Sequence, residues 1–324
     1  MTDALMAGYA AEDIVFVTPT WRGDYARFQL LRASMEAVGL GAVPHLAVVQ
    51  TEDLDRFRGG AAGVTYRSTA EVLPPEVEQR RVRFLQRAPG RRSQTVLRSL
   101  YKRFGWFSDA NYYGWHTQQL VKLGLARQLP NRVLITLDSD VIFTRPVPAS
   151  VYARDGKVVL YERTQVLQRK LRRPGWYETA CQLLDRPWSA AAGTSFQNYV
   201  THPFVFDAGM LRRLLDHLER RYATDWWRAL LAQPLGSWSE FMTYGVFVQQ
   251  LQGGDGVFVE PGDQACRWLE TAADRARARD FIREAFDDPA IRYLTIQADH
   301  HQRFTVDDYA PLVCAELSRR RLAD

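Results

Sequence analysis

Residues 133–147 read VLITLDSDVIFTRPV, an aliphatic run that ends in two aspartates separated by one serine. The run from Val133 to Leu137 predicts a strand covered on both faces, the kind found at the centre of α/β sheets. Such a strand tolerates charge badly, so Asp138 and Asp140 are expected where the chain leaves the core. In an extended segment, side chains at i and i+2 point to the same side. The two carboxylates then form a pair, with Ser139 facing the other way. Close carboxylates repel unless one is protonated or a cation sits between them. Hard oxygen ligands suit Mg²⁺ or Mn²⁺, which keep sites open for water and phosphate. The alternative is a turn in which one aspartate only caps neighbouring amides.

The flanking sequence supplies a sheet for this strand. Ile14 to Val17 reads as a short strand ended by the loop Thr18-Pro19-Thr20. Asp24 to Val38 has helical apolar spacing at Phe28, Leu31, Met35 and Val38, with Gly39 placed to cap it. PHLAVVQ (44–50) is a second strand. This β-loop-α-β opening predicts a Rossmann-like sheet with ligands at the carboxyl ends of its strands. Neither the dinucleotide fingerprint nor a P-loop is present. GWHTQQLVKLGLARQLP (114–130) predicts a helix stopped by Pro130, leading straight into the aspartate strand. KVVLYE (157–162), GVFVE (256–260) and RYLTIQ (292–297) read as strands, and AGMLRRLLDHLERRY (208–222) as an amphipathic helix. Residues 165–201, rich in Trp, Arg, Gly and Pro, read as a long substrate loop or small subdomain. With no repeat or linker, the expectation is one domain over residues 1–324.

Composition narrows the function classes. A hydrophobic content of 46% and a charged content of 24% are ordinary for a globular protein. No apolar run approaches the roughly 18–20 residues that span a bilayer. The amino terminus lacks the basic start of a signal peptide. Cys181, Cys266 and Cys314 fit neither a zinc pattern nor a disulfide framework, so a cytoplasmic location is expected. Of the formal net charge of +5, the segment Arg80–Arg103 alone carries +9, from eight arginines and Lys102 with no acid. Either this is a solvated helix face or it meets an anionic partner: lipid headgroups, a phosphorylated lipid carrier or an acidic glycan. No nucleic-acid recognition motif accompanies it. Peripheral association with the inner face of the plasma membrane is the corresponding expectation.

The hydrophobic strand, LDSDV and then FTRPV resemble the D-x-D region of GT-A glycosyltransferases. GWHTQQLVKL, HPFVFDAGML and WSEFMTYGVF resemble segments of a bacterial glycosyltransferase-like family associated with surface polysaccharides. The resemblance implies a GT-A type, Rossmann-like αβα sandwich with a mixed central sheet. It also implies a nucleotide-sugar half at about 10–162 and an acceptor-side half at about 163–324. It further implies a UDP- or GDP-sugar donor, Mn²⁺ or Mg²⁺ at the diphosphate, and a glycan or lipid-linked acceptor hydroxyl. Carried onto this chain, Thr18 and Thr20 match the loop that holds the nucleoside. Gln118, Lys122, Asp138 and Ser139 fall on the donor. Asp138, Asp140 and a late histidine, His300 or His301, fall on the metal. His202 and Trp238 fall on the acceptor pocket.

Inverting transfer needs a base within reach of the acceptor hydroxyl. Glu240, in the Ser-Glu pair of GSWSEFMTYG, is assigned that role, with Asp207 and Asp263 as alternatives. A first-turn glutamate favoured by the helix dipole is the competing reading of Glu240. Two other functions remain open at this point. A sugar-nucleotide nucleotidyltransferase can share the sheet and the acidic site, but TPTWRGDYARF lacks its Gly-rich basic loop. A non-catalytic anionic-glycan or lipid-surface binder would use the Arg-rich run and leave the paired aspartates unexplained.

Overall fold

The β-branched and aromatic residues of IVFVTPT form a strand that is buried along its whole length. In the computed structural model, residues 9, 13–104, 108–166, 174–188, 193–262, 265–297 and 304–321 are described. The strands among them are β1 (Ile14–Thr20), β2 (His45–Val49), β3 (Val64–Ser68), β4 (Val133–Thr136), β5 (Val141–Phe143), β6 (Ala153–Arg154), β7 (Lys157–Val166), β8 (Ser195–Asn198), β9 (Phe204–Asp207), β10 (Val257–Pro261), β11 (Cys266–Leu269) and β12 (Tyr293–Ile296). The principal sheet has the order β3-β2-β1-β4-β9. Its first four strands are parallel and β9 runs antiparallel to β4. The expected α/β architecture with a mixed sheet is therefore present.

The strand order reverses between β1 and β4. Right-handed crossovers then place the helix Tyr25–Ala37, after β1, and the helix Trp115–Gly124, before β4, on opposite faces. Both faces of β1 and β4 are accordingly covered. Three-stranded β11-β12-β5 and the sheet of β10, β7 and β6, with β8 on β7, extend the fold. One continuous apolar cluster joins Phe16, Leu134 and Phe206 of the principal sheet to Leu160 and Tyr293 of the other two.

Several local readings change. β1 runs on through Thr18-Pro19-Thr20, because Thr18, Pro19 and Thr20 stay in register with Ala47, Val48 and Val49. Asp138 to Asp140 is a turn rather than an extended segment, with the Val141 amide donating to the Asp138 carbonyl at 3.2 Å. Residues 165–201 include the end of β7, the helix Pro174–Leu183 and β8. The strands β3, β9 and β11 and the helix Val306–Arg321 were not read from the sequence.

The Arg-rich run is also not one exposed surface. It divides into the helices Pro75–Arg87 and Arg91–Phe104. Arg81 is fully buried, and its Nη2 lies 2.7 Å from both Glu52 and Glu78. Arg80, Arg83 and Arg87 all face Asp109, at 3.7, 3.8 and 3.2 Å. Charge counting along the chain cannot see these partners.

Candidate active site

At the switch point, Ser139 Oγ donates to Thr20 Oγ1 at 2.9 Å, and both side chains are buried. This bond ties the aspartate turn to the end of β1. It leaves Asp138 and Asp140 partly exposed at the carboxyl end of the sheet, where ligands of open α/β sheets bind. Two cavities of about 500 and 490 Å³ lie there and share Asp138 and Trp115 as walls. The first is lined by Arg22, Arg27 and Arg98 and by the acids Asp24, Glu52, Asp53 and Asp140, with Trp21 and Gln118. The second is lined by Trp115, Trp176 and Trp268, with Lys122, His202 and Glu240.

Lys122 binds the two cavities together. Its ammonium donates to Asp138 Oδ1 at 2.9 Å and to Glu240 Oε1 at 3.1 Å, and lies 4.6 Å from the centre of the Phe241 ring. The lysine side chain is only 3% exposed, which rules out a solvated helix lysine. Burial opposes its charge, but Asp138 and then Glu240 outweigh burial and hold it protonated, with its pKa raised.

The carboxylates divide in behaviour. Burial alone would raise Asp138, but Lys122, His202 and the lysine hydrogen bond pull it down to about 2. Asp140 is pushed up to about 8, first by burial and then by the charges of Asp138 and Asp24, against a weaker pull from Arg27. Glu240 is also raised, by burial before Asp138, with Lys122 opposing. Glu240 opens the helix Glu240–Val246 after Ser239 as N-cap, and its amide donates to Gln119 Oε1 at 3.0 Å. The predicted Ser-Glu helix start is therefore present.

The oxygen donors of Asp138 and Asp140 fit a hard divalent cation, which would take the place of the proton that the raised pKa of Asp140 keeps there. Two carboxylates are a usual protein share for Mg²⁺, which takes its other ligands from water and phosphate. Among the described residues no three metal-ligating side chains converge. His300, His301 and Asp263 lie outside the described residues.

Other sequence assignments move. Thr18 is buried, and its hydroxyl is bonded to His45 Nε2 at 2.9 Å, inside the core rather than on a nucleoside. Arg32 donates to the other ring nitrogen of His45, and burial pushes the ring down to about 3. Thr20 is covered and bonded to Ser139. Trp238 is fully buried and stacks on His116 at 5.3 Å, so it belongs to the core and not to an acceptor pocket. His202 does line the second cavity, with Nε2 3.7 Å from Asp138 Oδ2. Asp207 pairs with Val133 at the far end of β4 and caps the helix Ala208–Tyr222 through the Met210 amide at 2.7 Å. It stands roughly 10 Å along the strand from Thr136, which removes it as a base.

Sequence reading missed Trp21, Arg27, Trp115, Trp176 and Trp268. Trp21 leans over Gly23, where an added Cβ would come within 2.3 Å of the indole, and its Nε1 donates to Asp24 Oδ2 at 2.8 Å. Arg27 donates to the other oxygen of Asp24 at 2.7 Å. Trp115 and Trp176 stack with centroids 5.2 Å apart. The aromatic-glycine spacing of Trp21 and Gly23 was the one available signal; the three cavity tryptophans are far apart in sequence.

The chain belongs to DUF6492, a family of unknown function, which it matches over residues 14–267. No curated protein matches it. Among solved structures, mouse xyloside xylosyltransferase 1 in its apo form is similar over 90% of this chain and 99% of its own, at 10% identity and a TM-score of 0.42. The galactosyltransferase LgtC with donor and acceptor sugar analogs is similar over 93% of this chain and 95% of its own, at 10% identity and a TM-score of 0.41.

Proposed function

We propose that the protein is a metal-dependent glycosyltransferase that moves a sugar from a UDP- or GDP-sugar to a hydroxyl of a glycan or lipid-linked acceptor. The resemblance of its segments GWHTQQLVKL, HPFVFDAGML and WSEFMTYGVF suggests bacterial surface-polysaccharide synthesis as the setting. One observation carries the reading: a cavity lined by three arginines and five carboxylates and a tryptophan-lined cavity of nearly equal size meet at Asp138 and Trp115. Transfer between two bound substrates needs such an arrangement, with the reacting atoms at the shared wall.

In this reading the nucleotide occupies the first cavity. Trp21 stacks on the base, and Arg27 and Arg98 face the phosphates. A divalent cation on Asp138 and Asp140 would offset the diphosphate charge as it leaves. The acceptor sugar lies in the second cavity, where apolar ring faces of Trp115 and Trp268 suit sugar C–H surfaces. Glu240, poised upward in pKa beside a fixed ammonium, takes the hydroxyl proton. The acceptor oxygen bonds to the anomeric carbon, the bond from that carbon to the phosphate oxygen breaks, and the nucleoside diphosphate departs. This is an inverting transfer.

The test is a thermal-shift panel of UDP, GDP and their sugars with and without Mn²⁺, followed by a product assay with the ligand that binds. Stabilisation by one nucleotide, enhanced by Mn²⁺, supports the reading. No shift with any nucleotide in either condition removes it.

A further inference from the structure

The fold treats the two halves of the basic run differently, and that difference points to a surface separate from the chemistry at Asp138. On the helix Pro75–Arg87 the arginines are matched by Asp109, Glu52, Glu78 and Glu76. The helix Arg91–Phe104, RRSQTVLRSLYKRF, contains no acid of its own. It has three sides. Leu97 and Tyr101 pack on Phe84 and Ala88. Gln94 and Arg98 line the first cavity. The outward side carries Arg92, Val96, Ser99, Lys102 and Arg103, all exposed, at helical spacing. Among the described residues no carboxylate lies within ion-pair distance of Arg92, Lys102 or Arg103. Val96 is 56% exposed and Phe104 is 51% exposed.

We propose that this outward side docks on an anionic lipid bilayer. The charge complementarity is direct, since Arg92, Lys102 and Arg103 face solvent with no carboxylate partner among the described residues, Arg103 lying over the Phe104 ring at 5.4 Å. The apolar side chain of Val96 decides between polyanions. A nucleic acid or an acidic glycan would neutralise the cations but leave Val96 in water. A bilayer accepts both, with cations at the headgroups and apolar groups at the acyl boundary. Because Gln94 and Arg98 stand on the same helix, docking brings the wall of the first cavity to the lipid surface.

The experiment is co-sedimentation of the full chain with vesicles of phosphatidylcholine alone and of phosphatidylcholine with phosphatidylglycerol. Binding is expected only to the anionic vesicles, weakening as salt rises because exposed charges are screened over about 8–10 Å. Replacing Arg92, Lys102 and Arg103 together with Ser is expected to weaken it by roughly a hundredfold. The neutral change Val96→Ser is expected to weaken it by a few-fold at fixed charge. Circular dichroism checks that both variants keep the fold. Wild-type binding no stronger to anionic than to neutral vesicles overturns the proposal, as does triple-variant binding equal to wild type. Val96→Ser binding as wild type, with equal retention on heparin, reassigns the face to polyanions and also overturns it. None of these results depends on nucleotide binding, so glycosyl transfer stands or falls separately.

Discussion

Arg81 and Lys122 are both buried cations held between two carboxylates, Arg81 between Glu52 and Glu78 and Lys122 between Asp138 and Glu240. Around Arg81 the partners complete one another. Glu78 also accepts from Thr51 and Thr69, and although burial works against it, Arg81 and these hydroxyls hold it below the usual carboxylate range. Around Lys122 only Asp138 is drawn down, while Glu240 and nearby Asp140 are pushed up. Similar ingredients thus give a closed network in one place and an open one in the other. The closed network fastens the helix Pro75–Arg87 to the end of β2. The open one faces two cavities, and its raised carboxyl groups mark a place that favours a bound cation or a proton.

Breaking the open cluster should be felt in turnover. Glu240→Gln keeps the shape and the hydrogen-bonding reach but cannot accept a proton, so kcat is expected to fall by roughly 10²–10⁴. Nucleotide affinity should persist, the pattern of an interaction made chiefly in the transition state. Steady-state kinetics with a thermal melt decide it. A lowered melting temperature with near-normal turnover would make Glu240 a first-turn structural charge.

Breaking the closed cluster should instead be felt in stability. Arg81→Met leaves Glu78 buried without its cation, an arrangement that typically costs about 3–5 kcal/mol. Denaturant unfolding measures it, and a wild-type midpoint would contradict the closed network. The acid limb gives a second handle. Glu78 has a folded pKa below its unfolded one, so its stabilisation is fully present above the unfolded value, about 4.3. It is lost as pH falls through the folded value. Glu78→Gln should flatten that limb below about pH 4.3, and an unchanged acid profile would count against the account.

The smallest effect is expected at the rim of the first cavity. Stacking on an aromatic side chain is worth about 1–3 kcal/mol per base. Trp21→Ala should therefore weaken nucleotide binding by roughly 5- to 100-fold, and Trp21→Phe by less. Gly23→Ala should move the same way without touching the nucleotide, because its Cβ would displace the indole. Titration calorimetry with UDP and GDP reads all three. Equal affinities across them would move the base elsewhere in the cavity.

What the sequence made legible follows from how local each signal is. The aliphatic run before Asp138 and the 3.6-residue spacing of 208–222 are local, and both elements stand where they were read. The helix start at Ser239 and Glu240 was legible for the same reason. Thr18 was misplaced because Pro19 reads as a strand breaker, whereas here it sits near the end of a parallel strand already held by β2 and β4. Trp238 could not be told from a pocket tryptophan, since its neighbour His116 comes from a distant helix. The burial of Lys122 was not legible, because the two carboxylates that accept from it lie 16 and 118 residues away.

The central claim is that Asp138 and Asp140 hold the metal that holds the nucleotide, and titration of nucleotide with and without Mn²⁺ tests it most directly. Wild-type protein should bind UDP or GDP more tightly in Mn²⁺. Asp140→Ala should lose that increment while its melting temperature stays level or rises, because the change removes repulsion along with a ligand. Asp138→Ala should lose part of it and also release Lys122. Wild-type affinity indifferent to Mn²⁺, or an Asp140→Ala protein with the full Mn²⁺ increment, would contradict the account.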